Sequence, residues 1–100
     1  MQRPQAPLEL RLYLNGHAPE SAGVEDQLHR LFASVGLEFT VEVIDVNEHP
    51  DRADDDRILL TPTLLRLTPP RLRVAGDLSD LEAALDGLGL RVWSQRQALA

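Results

Sequence analysis

The apolar residues of this chain change their spacing twice within its first half, and no other feature constrains the fold as strongly. Leu8, Leu10, Leu12 and Leu14 alternate with Glu9, Arg11, Tyr13 and Asn15. A period of two belongs to a strand with one inner face. The turn residues Asn15-Gly16-His17-Ala18-Pro19 follow,. From Ser21 the period turns helical, with Val24, Leu28, Leu31, Phe32 and Val35 on one face and Gly36 as the stop,. Phe39 to Val46 is again β-branched and apolar, which predicts a second strand buried on much of both faces,. Strand, helix and strand in succession make a βαβ unit with parallel strands and a right-handed crossover.

The second half adds shorter elements. Pro50 suits the first turn of a helix, and Asp51 and Asp54 lie where the helix dipole favours anions,. A helix is therefore expected from Pro50 to about Arg57. Thr61-Pro62 interrupts it, Thr63 to Leu67 predicts a third strand, and Thr68-Pro69-Pro70 turns the chain into a fourth strand, Arg71 to Ala75,. Ser79-Asp80-Leu81-Glu82 has the capping-box pattern, and Leu81, Leu85 and Leu88 continue it as a helical stripe,. The expected organisation is a flexible start (1–7), one domain (8–90) and a loosely held tail (91–100). The order βαβαββα is similar to that of the thioredoxin fold, which places a cis proline before its third strand; Pro62 occupies that position,.

Composition narrows the chemistry. The 100 residues suit one domain, and the formal charge is −6 with the basic residues scattered, which disfavours a nucleic-acid partner. No apolar run approaches the roughly 20 residues that span a bilayer, and no secretory signal pattern opens the chain. A cytoplasmic protein without membrane attachment is the expectation. The chain has no Cys, so thiolate chemistry and Cys-ligated metals are excluded. His17, His29 and His49 form no paired ligand motif, and Asp51, Asp54, Asp55 and Asp56 read as a solvated acidic helix,. No glycine-rich phosphate loop occurs, and no cofactor is expected.

Several short motifs in register resemble the KaiB family. They are Leu12-Tyr13-Leu14-Asn15-Gly16 with Pro19 and Ser21, Val43-Ile44-Asp45-Val46 with His49-Pro50, Arg57-Ile58-Leu59-Leu60-Thr61-Pro62-Thr63-Leu64, and Gly76-Asp77-Leu78-Ser79. The resemblance implies a non-enzymatic module of a circadian-clock or related signalling or stress system that binds a KaiC-like ATPase ring. It also implies kinship with the sensory N-terminal domain of the histidine kinase SasA. The family switches fold between an oligomeric ground state, βαββααβ, and a thioredoxin-like monomer that binds the partner. Carried over from the family, Arg57 and Arg66 hold basic partner-facing positions, whereas Glu42 reverses the charge of a third. That reversal, two prolines in place of three, and the lack of an acidic tail count against KaiA capture.

Local preferences favour the thioredoxin-like monomer as the resting state. Pro50 to Arg57 contains no β-branched or aromatic residue, and Leu81-Glu82-Ala83-Ala84-Leu85 consists of strong helix formers,. Two other functions remain open on the residues alone. One is a detached sensor domain acting on a histidine kinase. The other is a glutathione-binding enzyme using Ser21 or Tyr13, Pro62 and Ser79, although Ser21 and Ser79 read more simply as helix caps. Trp93 either packs on the domain or meets a partner.

Overall fold

The computed structural model describes residues 7–19, 22–34, 36–76 and 81–90. Residues 1–6, the expected tail from 91 with Trp93, and the serine caps lie outside them. The elements run β1 (Leu8–Leu14), α1 (Val24–Ser34), β2 (Phe39–Asp45), α2 (Pro50–Asp55), β3 (Thr63–Arg66), β4 (Leu72–Ala75) and α3 (Leu81–Gly87). They form one mixed sheet in the order β2-β1-β3-β4. β1 and β2 are parallel, with Leu8 opposite Phe39 and Leu14 opposite Asp45. β3 runs antiparallel to both β1 and β4. The architecture is the expected single-domain, thioredoxin-like α/β fold.

The strand alternation distributes side chains between two layers. Leu10 and Leu12 of β1 and Leu64 of β3 pack against Val24, Leu28 and Phe32 of α1 and Ala84, Leu85 and Leu88 after them in the chain. The opposite face holds a smaller cluster, Tyr13, Ile44 and Leu65, packed with Ala53 and Ile58 from α2 and the loop after it. Burying each large apolar side chain contributes about 2 kcal/mol, so the first layer dominates the stability. Tyr13 departs from the pattern of one inner face, because α2 covers the C-terminal end of β1 and leaves the tyrosine 0% exposed.

β2 also differs from expectation. Only Ile44 of this strand is buried, because β2 is an edge strand and the six-residue α2 reaches no further along it. β-branched composition reports compatibility with a pleated sheet, not position within it. The Thr61–Pro62 peptide is cis, and so is Pro69–Pro70, which the sequence did not lead us to expect. The Pro62 carbonyl accepts the Gly76 N–H at 2.8 Å, joining the start of β3 to the end of β4.

α3 sits close to β4. A Cβ placed on Gly87 would lie 2.6 Å from Val74 Cγ2, well inside contact distance. Gly87→Ala is therefore expected to destabilise the fold by about 1–2 kcal/mol, although alanine is the better helix former. Urea unfolding of the variant checks this; a gain in stability would mean that α3 shifts freely over β4.

Candidate partner-binding surface

The loop that carries Cys-x-x-Cys in thioredoxins is here closed by amides and a carboxylate. Asp45 Oδ1 accepts the backbone N–H of Asn47 at 2.9 Å and that of Gly16 at 3.4 Å. Asn47 Nδ2 donates to Asn15 Oδ1 at 2.7 Å and to Asp45 Oδ1 at 3.0 Å. The Asn47 amide chiefly, with Gly16, holds the Asp45 carboxyl below its ordinary range despite some desolvation. Among the described residues of this loop, 15–19, there is no thiol or hydroxyl side chain. Among the described residues no group of three or more His, Asp or Glu side chains is placed to hold a metal ion.

The sheet face that carries α2 has a continuous ionic network instead. Arg52 on α2 donates to Glu42 on β2 through both terminal nitrogens, at 2.7 and 3.0 Å. Arg11 on β1 bridges Glu42 at 3.1 Å and Asp56 at 3.0 Å. Tyr13 Oη donates to Asp56 Oδ2 at 2.5 Å and lies 3.0 Å from the Arg52 carbonyl. Burial, then the hydrogen bond to Asp56 and its charge, pushes the Tyr13 phenol up to about 12. For Asp56 burial works upward, but the Tyr13 hydroxyl and Arg11 outweigh it and hold the carboxyl below its usual value. Hydrogen bonds from Arg52 first, opposed by desolvation and aided by Arg11, bring Glu42 down to about 2.

These contacts attach α2, which buries none of its own residues, to β1 and β2. The Glu42 carboxyl is depressed on folding, so its contribution is complete above its ordinary pKa of 4.5 and is lost as pH falls toward 2,. Glu42 is 48% exposed, and solvent screening limits the contribution to less than about 1 kcal/mol. Wild type is expected to exceed Glu42→Gln in stability at pH 7 and to converge with it near pH 2. Urea titrations across that range check the convergence, and a constant gap would assign the effect to something other than ionisation.

The three carried-over positions fall into different environments. Glu42 is enclosed by its two arginines. Arg66 donates to the carbonyls of Thr68 at 3.0 Å, Pro69 at 3.1 Å and Leu88 at 2.8 Å. It thereby ties the β3–β4 turn to the end of α3 and adds no free cation to the surface. Arg57 is exposed and, unlike the other two, makes no hydrogen bond or ion pair through its side chain among the described residues.

The backbone singles out Arg57 as well. All three helices end in the same two-bond motif, in which the residue past the cap takes a left-handed conformation. In α1 the bonds are Gly36 N to Ala33 O and Leu37 N to Phe32 O; in α3 they are Gly89 N to Asp86 O and Leu90 N to Leu85 O. In α2 they are Arg57 N to Asp54 O at 3.0 Å and Ile58 N to Ala53 O at 2.9 Å. Gly36 and Gly89 have φ of 73° and 76°, as the motif prefers; Arg57 has φ of 55°. A side chain there costs conformational energy that glycine avoids. Arg57 borders a shallow groove of about 230 Å³ between α2 and the β3–β4 hairpin, floored by Leu65 and Leu67 and flanked by Arg71 and Arg73. Arg73 donates to the carbonyls of Asp56 at 2.8 Å and Arg57 at 3.2 Å, closing the end of α2. Sequence reasoning missed Arg71, the ionic network and the exposed Leu59. Two leucines beside Thr-Pro carry the same signal whether they lie in a core or outside it.

Sheet order, the cis proline before β3 and a closed, thiol-free loop define a thioredoxin-like domain without thiol redox chemistry. The KaiB domain family matches residues 11–90. The chain belongs to the KaiB family. The circadian clock protein KaiB3 of Synechocystis is 40% identical over 83 residues, covering 81% of each chain. The circadian clock oscillator protein KaiB of Acaryochloris marina is 42% identical over 83 residues, covering 81% of this chain and 80% of its own. Among solved structures, the N-terminal domain of Synechococcus elongatus SasA superposes with a TM-score of 0.65 at 28% identity, covering 81% of this chain and 83% of that one. Thioredoxin 1 of Thermosipho africanus gives a TM-score of 0.61 at 16% identity over 91% of this chain and 96% of that one, a likeness of fold alone. Among the described residues no helix is long and apolar enough to cross a membrane.

Proposed function

We propose that this protein is a non-enzymatic interaction module of the cytoplasm that binds a KaiC-like ATPase ring through the face formed by α2 and the β3–β4 hairpin. The observation that carries it is Arg57, an exposed cation without an ion pair among the described residues, held in a backbone conformation that favours glycine. A position where local structure prefers glycine but the chain presents arginine points to a use for the side chain. Membership of the KaiB family supports the choice of partner. KaiA capture is not part of the proposal, because Glu42 stands where the family has a basic residue and is neutralised by Arg11 and Arg52.

The likeness to the SasA N-terminal domain favours a second possibility, action as a detached sensor domain on a histidine kinase. Of the residues weighed for a glutathione site, the Tyr13 hydroxyl is buried and engaged by Asp56, and Ser21 and Ser79 lie outside the described residues. The deciding experiment mixes the protein with a purified KaiC-like ATPase or with the kinase, and follows complex formation by size-exclusion chromatography with light scattering. A ring complex supports the proposal; binding to the kinase alone replaces it.

A further inference from the structure

The segment following Arg57 has a chemistry that neither the fold nor the ionic network uses. Leu59 is 93% exposed and Leu60 49% exposed. The backbone N–H groups of Leu59, Leu60 and Thr61 make no hydrogen bond among the described residues. Large exposed leucines are ordinary when scattered, but here two stand together beside a free cation and a run of unpaired main-chain donors. The loop is also pinned at both ends. Ile58 packs beneath α2 and its N–H bonds Ala53 O at 2.9 Å. Thr63 Oγ1 bonds the Leu60 carbonyl at 2.7 Å. The leucines are thus presented on a fixed support, which lowers the entropy lost on binding.

We infer that Leu59 and Leu60 form the apolar anchor of the partner surface, and that their occupant is an extended segment of a protein partner combining an apolar side chain with a nearby carboxylate. The apolar side chain covers the leucines, the carboxylate pairs with Arg57, and partner carbonyls accept the free N–H groups of the loop. Charge complementarity selects an acidic segment over a basic one, since Arg57, Arg71 and Arg73 are exposed guanidinium groups of this groove without an ion pair among the described residues, and they outnumber the exposed Asp55 beside them, Asp56 being paired with Arg11. The inference rests on the ring-binding function proposed above and adds the chemistry of its anchor.

The test measures the Kd of wild type, Leu59→Ser and Val43→Thr for the purified KaiC-like ATPase ring of the same host. Leu59 contacts little of its own chain, so amide NMR spectra of Leu59→Ser should match wild type outside the loop. A central apolar anchor predicts a Kd raised about 30-fold or more, with Val43→Thr within about twofold. Amide exchange at residues 59–61 is expected to slow at least tenfold in the complex. Wild-type binding with Leu59→Ser within twofold, or with unchanged exchange at these amides, overturns the anchor and leaves the ring-binding function standing. Failure of wild type to bind the ring overturns both.

Discussion

Tyr13→Ala is expected to lower the unfolding free energy by about 3–5 kcal/mol, a large part of the stability of a domain this size. Tyr13 is completely buried at the centre of the smaller core cluster, between Ile44 and Leu65. Its ring belongs to the cluster on which Ala53 and Ile58 rest, and deleting it is expected to leave a cavity beneath the six-residue α2,. Tyr13→Phe separates packing from polarity. It keeps the ring and removes the donor to Asp56, which retains Arg11 at 3.0 Å, so the expected loss is smaller, about 1–2 kcal/mol. Urea unfolding followed by circular dichroism measures both. A neutral Tyr13→Phe would show that the phenol does not hold Asp56, and that α2 rests on apolar contact alone.

Arg57 is expected to separate stability from binding. Arg57→Gly relieves a side chain at φ 55° and should raise stability by about 0.5–1 kcal/mol, while weakening the ring complex about tenfold or more. Arg57→Glu should weaken it further, about a hundredfold, because it sets like charges against each other. The residual affinity of either variant should also depend less on salt, since one screened ion pair has been removed. Thermal melts and binding isotherms at two ionic strengths decide the matter. A stabilised Arg57→Gly that binds like wild type would show the arginine to be incidental and would move the interface elsewhere.

The legible parts of this molecule are those written in local periodicity. The change from a period of two to one of three to four and back marked β1, α1 and β2, and Leu10, Leu12, Leu28 and Phe32 proved to be core residues. Helix ends were legible where glycine supplied the left-handed residue, at Gly36. The end of α2 was misjudged by two residues, at Arg57 in place of Asp55, because arginine gives no such signal. The site was far less legible. Of the three residues carried over from the family, two proved to be engaged within the protein itself.

By itself the sequence determined the order of the elements, the inner face of β1 and, through the absence of cysteine, the loss of thiol chemistry from a thioredoxin-like domain. Each of these follows from neighbours along the chain or from composition. Only the tertiary structure decided that β2 lies at an edge, that Tyr13 is buried, that Glu42 and Arg66 are tied internally, and that Leu59 stands in solvent. The reason is separation along the chain. Arg11 meets Glu42 across 31 residues, Tyr13 meets Asp56 across 43 and Arg66 meets Leu88 across 22. Pairings of that range depend on how the sheet orders its strands and where a short helix comes to rest, and no local pattern encodes either.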